Sequence, residues 1–184
     1  MNGYVLFFKR SYPKSRILAF EPDPAIFEVL AENCKSYQWE NVELIPKALW
    51  TAEGVVRFDR AGADAGRIVA QTNSLQAVDV CACRLKDYLD QEVDLLKLDL
   101  EGSELPVLVD CARMLANVQK IIVEYHSFRD QPQELHLLIQ VLHDAGFRLH
   151  VNPGLVSPQP LWWRQVTHGM DMRLHLYGFR DTSR

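Results

Sequence analysis

The stretch Val93-Asp-Leu-Leu-Lys-Leu-Asp-Leu-Glu-Gly-Ser-Glu104 does most to decide the fold class. Its apolar run predicts a buried strand over residues 94–100, and Gly102-Ser103 then turn the chain into a helix. One face of that helix is predicted to carry Leu105, Leu108, Val109 and Ala112. Residues 120–124 follow as a strand of the buried, parallel type. The order strand, helix, strand therefore indicates an α/β sheet.

Strands and helices also alternate before this stretch. An apolar run from Ile17 to Glu21 predicts a strand, and Asp23 can cap the following helix with Pro24 at its first position. Short patterned runs then predict three further strands and one short helix, over 42–45, 55–58, 78–83 and 85–89. Residues 61–73 are rich in Gly, Ala and Asp and lack periodicity, which predicts a surface insertion.

The C-terminal part predicts a different kind of pairing. An amphipathic helix is predicted over 133–145, and Gly146 ends it. Closing strands are predicted over 147–151 and 172–179, separated by a Pro- and Trp-rich loop, and they would pair in antiparallel fashion. The whole chain is therefore predicted to be a single α/β domain, mostly parallel, with a C-terminal antiparallel strand pair.

Composition excludes several classes of function. Of 184 residues, 48% are hydrophobic and 24% are charged, with a formal net charge of -4. The basic residues are scattered, so no nucleic-acid partner is predicted. The apolar run over 4–8 is too short for a signal peptide or a membrane span, which favours a cytoplasmic protein without a membrane partner. No metal site is predicted, because zinc-ligand spacing is absent among Cys34, Cys81, Cys83 and Cys111.

Glu21 lies at the first of three strand ends that carry acids. Ligands of open α/β sheets bind beyond the carboxyl ends of the strands, where a carboxylate can accept both hydrogen bonds of a ribose diol. NAD-binding proteins also place an acid there, so this feature indicates a nucleoside rather than a particular reaction. The alternative is that Glu21 is solvated and Asp23 only caps the helix.

The second strand end carries Lys97, Asp99 and Glu101, which alternation places on one side of the strand. A lysine within an apolar strand is expected to form an ion pair, with Asp99 or with a carboxylate on a neighbouring strand such as Glu124. Two roles stay open for these residues. They form an ion pair that positions the strand end, or one of them is catalytic.

The third strand end is Glu124-Tyr125-His126. His126 could remove a proton from a substrate hydroxyl, because an unperturbed imidazole titrates near neutral pH, and a purely structural histidine is the alternative. The sequence has no G-x-S-x-G elbow, no P-loop and no complete G-x-G-x-x-G. That absence disfavours serine hydrolases, P-loop phosphotransferases and ordinary dehydrogenases.

Four phrases, taken in order, resemble the FkbM family of methyltransferases. They are Ile17-Leu-Ala-Phe-Glu-Pro-Asp-Pro24, Asn41-Val-Glu-Leu-Ile with Ala48-Leu-Trp, the stretch from Val93 to Glu104, and Ile121-Ile-Val-Glu-Tyr-His126. The match runs through most of the chain, and the lysine-aspartate-glutamate-glycine phrase is its most specific part. The resemblance implies a Rossmann-like class I methyltransferase domain over residues 1–184 that binds S-adenosylmethionine.

The resemblance also implies which residues bind the cofactor. Glu21 looks like the acid that binds the ribose, with Pro22 beside it, and the region around Ala48 looks like the lining of the adenine site. Asn2 and Gly3 resemble the tail of an acid-to-glycine loop that follows the first strand in family members. The chain is accordingly expected to be truncated at its N-terminus, with the first strand missing. If the sequence is complete, either the run from Tyr4 to Phe8 replaces that strand or the cofactor site is weakened, and a helix is the favoured expectation for this run.

The family is mostly associated with O-methylation, so the resemblance implies a hydroxyl on a small molecule or sugar as the acceptor. Asp99 and Glu101 would face the methyl-transfer site, Asp99 also contacting the cofactor, and Asp99, Glu101 or His126 would take the proton. Two alternatives remain. One is a degenerate or truncated member that binds without catalysis, and the other is a nucleotide-binding oxidoreductase, which would need the complete glycine fingerprint.

Overall fold

The structure is a computed structural model that describes residues 2–60, 66–69 and 74–180. Two compact units divide the chain, Met1–Cys83 and Arg84–Arg184. The single domain expected over the whole chain stays a prediction. None of the helices in the described residues is both long enough and apolar enough to cross a membrane.

The first unit opens with helix α1 (Asn2–Ser11), which confirms the helix expected there. Strand β1 (Ile17–Phe20) pairs in parallel with β2 (Val42–Ile45), and α2 (Pro24–Ser36) connects the two strands. Parallel neighbours need such a crossover, so this part follows the predicted order of elements. Its buried apolar core contains Val5, Ala19 and Leu30.

Helix α2 begins where the sequence predicts. Asp23 is the N-cap, and its carboxylate accepts a hydrogen bond from the backbone N–H of Ala25 at 2.9 Å. Pro24 takes the first helical position, where an N–H would have no partner within the helix. The cap therefore fixes the point at which the chain leaves β1, and Glu21 lies just before it.

Lys9 of α1 links the segment that follows α1 to the segment that precedes β2. Its side chain is buried, and Nζ donates hydrogen bonds to the carbonyl oxygens of Pro13 at 2.8 Å, Ser15 at 3.1 Å and Glu40 at 2.8 Å. An ammonium group has three N–H donors, so these bonds use all of them. Carbonyl dipoles thus stabilise the buried positive charge.

A second sheet of the first unit contains β3 (Ala48–Trp50), β4 (Gly54–Asp59), β5 (Arg67–Ile68) and β6 (Ala77–Arg84), in the spatial order β3-β6-β4-β5. The pairs β4–β6 and β4–β5 are antiparallel. Their side chains enclose a small core, which contains Ala48, Phe58 and Val80.

This sheet corrects the expectation of a mostly parallel arrangement. The predicted strands over 55–58 and 78–83 exist, but they pair as antiparallel neighbours because no crossover helix separates them in the described part of the chain. The predicted surface insertion over 61–73 contains the short strand β5, and residues 61–65 and 70–73 of it lie outside the described ones.

The second unit builds a sheet in the order β7-β8-β10-β9. Strands β7 (Val93–Leu98) and β8 (Val118–Phe128) are parallel, and β9 (Arg148–Leu155) and β10 (Met170–Phe179) form the predicted antiparallel pair. Within the described residues, β7 pairs with one strand only, as β1 does in the first unit. The part of this unit that the structure describes also contains two α-helices and two short 3₁₀ helices: α3 (Glu104–Cys111), α4 (Leu135–Asp144), Leu85–Tyr88 and Ala112–Asn117.

Helix α3 is rotated relative to the prediction. Val109 was expected on the inner face but is 56% exposed, whereas Val107 and Cys111 are buried. The reason is Glu104, a buried carboxylate at the start of the helix. Residues three, four and seven positions after an inward-facing residue share its face, so Glu104 determines which apolar side chains face the core.

Candidate functional site

Five titratable side chains, the His126 cluster, gather at the carboxyl ends of β7 and β8: Asp99, Glu101, Glu104, Glu124 and His126. The strand register explains why they meet, because Lys97 lies opposite Ile122 in the parallel pair. Paired residues of neighbouring strands point to the same face, and every second residue returns to it. The acids after β7 and the last residues of β8 therefore face one another, as the sequence predicts for Asp99, Glu101 and His126.

A tight turn carries the chain from β7 into α3. Glu101 has φ 49° and Gly102 has φ 99°, so both lie in the left-handed region. Glycine suits this conformation, and a Cβ on Gly102 would come within 3.0 Å of the Phe128 ring. For Glu101 the conformation costs free energy, and such residues are enriched at functional sites.

Glu104 holds His126 in one orientation. The His126 side chain is 0% exposed, and its Nδ1 lies 2.8 Å from Glu104 Oε1. The Glu104 carboxylate also accepts hydrogen bonds from the backbone N–H groups of Leu100 at 3.0 Å and Gly102 at 3.1 Å. An ionised carboxylate only accepts, so Nδ1 is assigned as the N–H donor.

The other imidazole nitrogen of His126 points into a space bordered by carboxylates. Nε2 lies 3.6 Å from Glu101 Oε1, 3.8 Å from Glu124 Oε1 and 3.9 Å from Asp99 Oδ1. It is buried and has no hydrogen-bond partner among the described residues. Such an arrangement can hold a positive charge or exchange a proton.

The pKa values of Glu101 and His126 both depart from their ordinary range. Burial raises the pKa of Glu101 to about 7, partly offset by the positive charge that His126 can carry. Burial lowers the pKa of His126, but its hydrogen bond with Glu104 and the charges of Glu104, Glu101 and Asp99 outweigh it and raise the pKa overall. A carboxyl that titrates near neutral pH is suited to proton transfer.

Two cations, Lys97 and Arg173, and the imidazole of His175 contact the carboxylates of this site. Lys97 Nζ lies 2.6 Å from Asp99 Oδ2, which confirms the predicted ion pair. Glu124 contacts Arg173 Nη1 at 3.3 Å and His175 Nε2 at 3.5 Å. Sequence reasoning missed these last two residues and Glu104. The signal for Arg173 and His175 is their alternation in β10, which becomes informative only once the β8–β10 register is known.

Glu21 and Asp23 lie together in the first unit. Glu21 is 5% exposed, so the alternative of a solvated Glu21 is wrong. Its Oε1 accepts a hydrogen bond from the backbone N–H of Asp23 at 3.0 Å. Burial raises the pKa of Glu21. Asp23 does more than cap α2. Its Oδ2 lies 2.8 Å from Arg60 Nε, a partner that the sequence did not reveal.

The remaining predicted cofactor residues also belong to the first unit. Pro22 is half-buried beside Glu21, and Ala48 is buried at the start of β3. Asn2 and Gly3 lie in the first turn of α1, where a Cβ on Gly3 would meet nothing within 4 Å. The roles of these residues in cofactor binding stay predictions.

Comparison with known proteins identifies the family. The profile of the "Methyltransferase FkbM domain" matches residues 2–149. Two curated relatives are "Methyltransferase 1" of Beauveria bassiana, 29% identical over 130 residues, and "Methyltransferase sdnD" of Sordaria araneosa, 29% identical over 141 residues. Each match covers 57% of this chain, and 52% and 54% of those relatives, so the chain spans about half the length of the curated relatives it matches.

Solved structures show the same α/β fold. Methyltransferase FkbM from Methylobacillus flagellatus is similar at a TM-score of 0.61 and 15% identity, over 97% of this chain and 41% of that chain. Precorrin-6y C5,15-methyltransferase from Geobacter metallireducens is similar at a TM-score of 0.53 and 13% identity, over 98% and 76%. These likenesses show a fold of the class I methyltransferase type. Because the family profile spans most of the sequence, the chain belongs to the FkbM family of methyltransferases.

Proposed function

We propose that this chain transfers the methyl group of S-adenosylmethionine to a hydroxyl oxygen of a small molecule or sugar. Membership of a methyltransferase family supports the transfer. A hydroxyl must lose its proton as the oxygen takes the methyl group, so a proton acceptor is needed beside it. The observation that carries the proposal is the convergence of Asp99, Glu101 and His126 on one small volume at the strand ends.

The proposed step forms one bond and breaks another. The acceptor oxygen attacks the methyl carbon, the carbon–sulfur bond breaks, and its electron pair remains on sulfur to give S-adenosylhomocysteine. The hydroxyl proton passes to a side chain of the His126 cluster. Alignment of the two reactants supplies a large part of the rate enhancement, since it removes the entropy cost of bringing them together.

Glu101 is the best base among the three candidates. Burial raises its pKa to about 7, so near neutral pH it is partly ionised and retains a proton once it has received one. Asp99 is a weaker candidate because its carboxylate is already engaged by Lys97, whose Nζ lies 2.6 Å from Oδ2. The pKa of His126 is raised next to the carboxylates, so its charged form is favoured and it is a weaker candidate.

S-adenosylmethionine would supply the electrophilic methyl group, and Glu21 is the residue proposed to hold its ribose. A carboxylate can accept hydrogen bonds from both ribose hydroxyls, and bonds to a charged acceptor are stronger than neutral ones. Glu21 is suited to this because its carboxylate lies at the carboxyl end of β1. Pro22 and Ala48 are proposed to line the same nucleoside site.

Isothermal titration with S-adenosylmethionine and S-adenosylhomocysteine tests the cofactor half of the proposal. The wild-type chain is expected to bind both with micromolar affinity, and Glu21→Ala is expected to lose that binding. The matched control is Glu28→Ala, an exposed glutamate on α2 of the same unit, which should bind as the wild type does. Circular dichroism would establish that each variant is folded.

The acceptor half is tested by mass spectrometry of a panel of hydroxylated small molecules and sugars after incubation with S-adenosylmethionine. A product heavier by one methylene unit, lost in Glu101→Gln, supports the proposal. Cofactor binding without any methylated product would favour the alternative, a binding module without catalysis. Absence of cofactor binding by a folded wild-type chain would contradict both.

A further inference from the structure

Three ligand atoms of the His126 cluster converge closely enough to share one ion. One ligand atom from each of Asp99, Glu101 and His126 lies within 4.8 Å of the other two. His126 Nε2 lies 3.9 Å from Asp99 Oδ1 and 3.6 Å from Glu101 Oε1. We propose that these atoms bind one divalent first-row transition-metal cation. The sequence predicted no metal site, because the ligands come from two different strand ends and have no motif spacing.

The hydrogen bond of His126 with Glu104 prepares Nε2 as a ligand. Glu104 Oε1 accepts the Nδ1 proton at 2.8 Å, which leaves the lone pair of a neutral imidazole on Nε2. Metal-binding histidines are commonly held in this way by a carboxylate on the far nitrogen. Glu104 is in turn fixed by the backbone N–H groups of Leu100 and Gly102. The imidazole is therefore oriented before any ion arrives.

The direction of Nε2 is the second observation that points to a cation. The His126 side chain is 0% exposed, and Nε2 has no hydrogen-bond partner among the described residues. In the neutral tautomer its lone pair faces the oxygens of Asp99, Glu101 and Glu124 at 3.6 to 3.9 Å, which is repulsive. A proton or a metal cation between these atoms removes the repulsion.

The spacing of the ligand atoms suits a metal ion. Metal–ligand bonds of about 2.1 Å at angles of about 90 to 110° place neighbouring ligand atoms about 3.0 to 3.5 Å apart. Nε2 lies 3.6 Å from Glu101 Oε1 and 3.9 Å from Asp99 Oδ1. Small rotations of the two acidic side chains would bring the three atoms into coordination.

The surrounding charges leave room for a cation. Lys97 pairs with Asp99 through Oδ2, so Oδ1 remains directed toward His126. Arg173 and His175 pair with Glu124. Glu101 Oε1 lies 3.6 Å from His126 Nε2, so its carboxyl group borders the same space as Asp99 Oδ1.

The donor set favours particular metals. One imidazole and two carboxylates suit Mn²⁺, Fe²⁺, Co²⁺ or Zn²⁺, whereas Mg²⁺ and Ca²⁺ prefer oxygen ligands alone. The catalytic consequence rests on the proposed function. An ion at this place would bind the acceptor oxygen and lower the pKa of its hydroxyl. Glu101 would hold the ion through Oε1 and accept the hydroxyl proton through its other carboxylate oxygen.

Titration of Mn²⁺ into the full chain, stripped of metals by a chelator and followed by the electron paramagnetic resonance of free Mn²⁺, tests the site. One ion per chain is expected. Asp99→Asn and Glu101→Gln should each weaken binding by about tenfold or more, and Glu104→Gln by about 10- to 100-fold although it removes no ligand. Asp90→Asn, an exposed acid of the same unit, should bind Mn²⁺ as the wild type does.

Two outcomes would overturn the site. One is a folded wild-type chain with a Kd for Mn²⁺ weaker than about 1 mM. That result would mean that a proton, and not a metal ion, lies between His126 Nε2 and the carboxylates. The other is equal affinity in the cluster variants and the wild type, which would indicate scattered surface carboxylates. A measurement that needs no variant is the nuclear magnetic resonance spectrum of His126, whose ring signals should broaden when Mn²⁺ is added.

The same titrations separate this inference from the proposed function. Mn²⁺ binding is measured without S-adenosylmethionine, and Glu21→Ala should leave it unchanged. Mn²⁺ binding by a chain that does not bind S-adenosylmethionine would contradict the proposed function but support the metal site. A chain that binds S-adenosylmethionine but does not bind Mn²⁺ would contradict the metal site and leave the proposed function standing.

Discussion

Glu101 combines two features that each cost free energy. Its backbone has φ 49°, and its carboxyl is buried among Asp99, Glu104 and Glu124, whose charges act with burial to raise its pKa. A left-handed non-glycine residue costs about 1 to 3 kcal/mol. Residues of this kind are retained where function needs them, which agrees with the role proposed for Glu101.

The stability of the chain should depend on pH through Glu101. Its pKa is 4.5 in the unfolded chain and about 7 in the fold, so the fold favours the protonated carboxyl. This contribution is fully present below pH 4.5 and is lost as the pH rises to about 7. The free energy of unfolding of the wild type, relative to Glu101→Gln, should therefore fall across that window.

Urea unfolding of both proteins across the window measures this difference. Glu92→Gln, an exposed glutamate of the same unit, is the control and should run parallel to the wild type. A difference between Glu101→Gln and the wild type that stays constant with pH would show that the Glu101 carboxyl titrates alike in the folded and unfolded chains.

At the residue scale, the sequence predicted the side chains that meet at the strand ends but missed the residues that hold them in position. Asp99, Glu101 and His126 could be predicted because alternation and strand ends are local signals. Glu104 was missed because a glutamate at a helix start is normally exposed, and its burial depends on the turn at Gly102. Arg173 was missed because its contact with Glu124 depends on a strand pairing distant in sequence.

At the element scale, the start of α2 offers a clean test. Asp23→Ala removes the N-cap and the contact with Arg60, and should lower the free energy of unfolding by about 1 kcal/mol or more. Asp23→Ser keeps a capping oxygen but loses the ion pair, so it should be less destabilised. Guanidinium unfolding measures both variants. Equal destabilisation of the two would mean that the cap contributes nothing.

Elements were predictable where a long pattern identified them. The strands of the second unit and α4 were found because their apolar residues repeat with a clear period. Strands β3 and β5 were missed or left unassigned, since three and two residues carry no period. The antiparallel pairing of β4 with β6 was also missed, because strand direction is decided by the connection and not by the strand.

At the scale of the whole molecule, the net charge predicts weak binding to duplex DNA. The net charge is -4 and the basic residues are dispersed, so a phosphate backbone would be repelled. We expect a Kd for duplex DNA weaker than about 10⁻⁴ M at physiological salt. Fluorescence anisotropy of a labelled duplex checks this, and a micromolar, salt-sensitive affinity would show a basic surface that the composition conceals.

The three bonds of Lys9 limit how this molecule can change over evolution. Surface connections between elements usually tolerate insertions and deletions, because extra residues extend into solvent. Here the segment between α1 and β1 must present the carbonyls of Pro13 and Ser15 to one buried ammonium, while Glu40 presents a third. Adding or removing a residue would move a carbonyl away from that charge. The connection is therefore expected to keep its length while its exposed side chains vary freely.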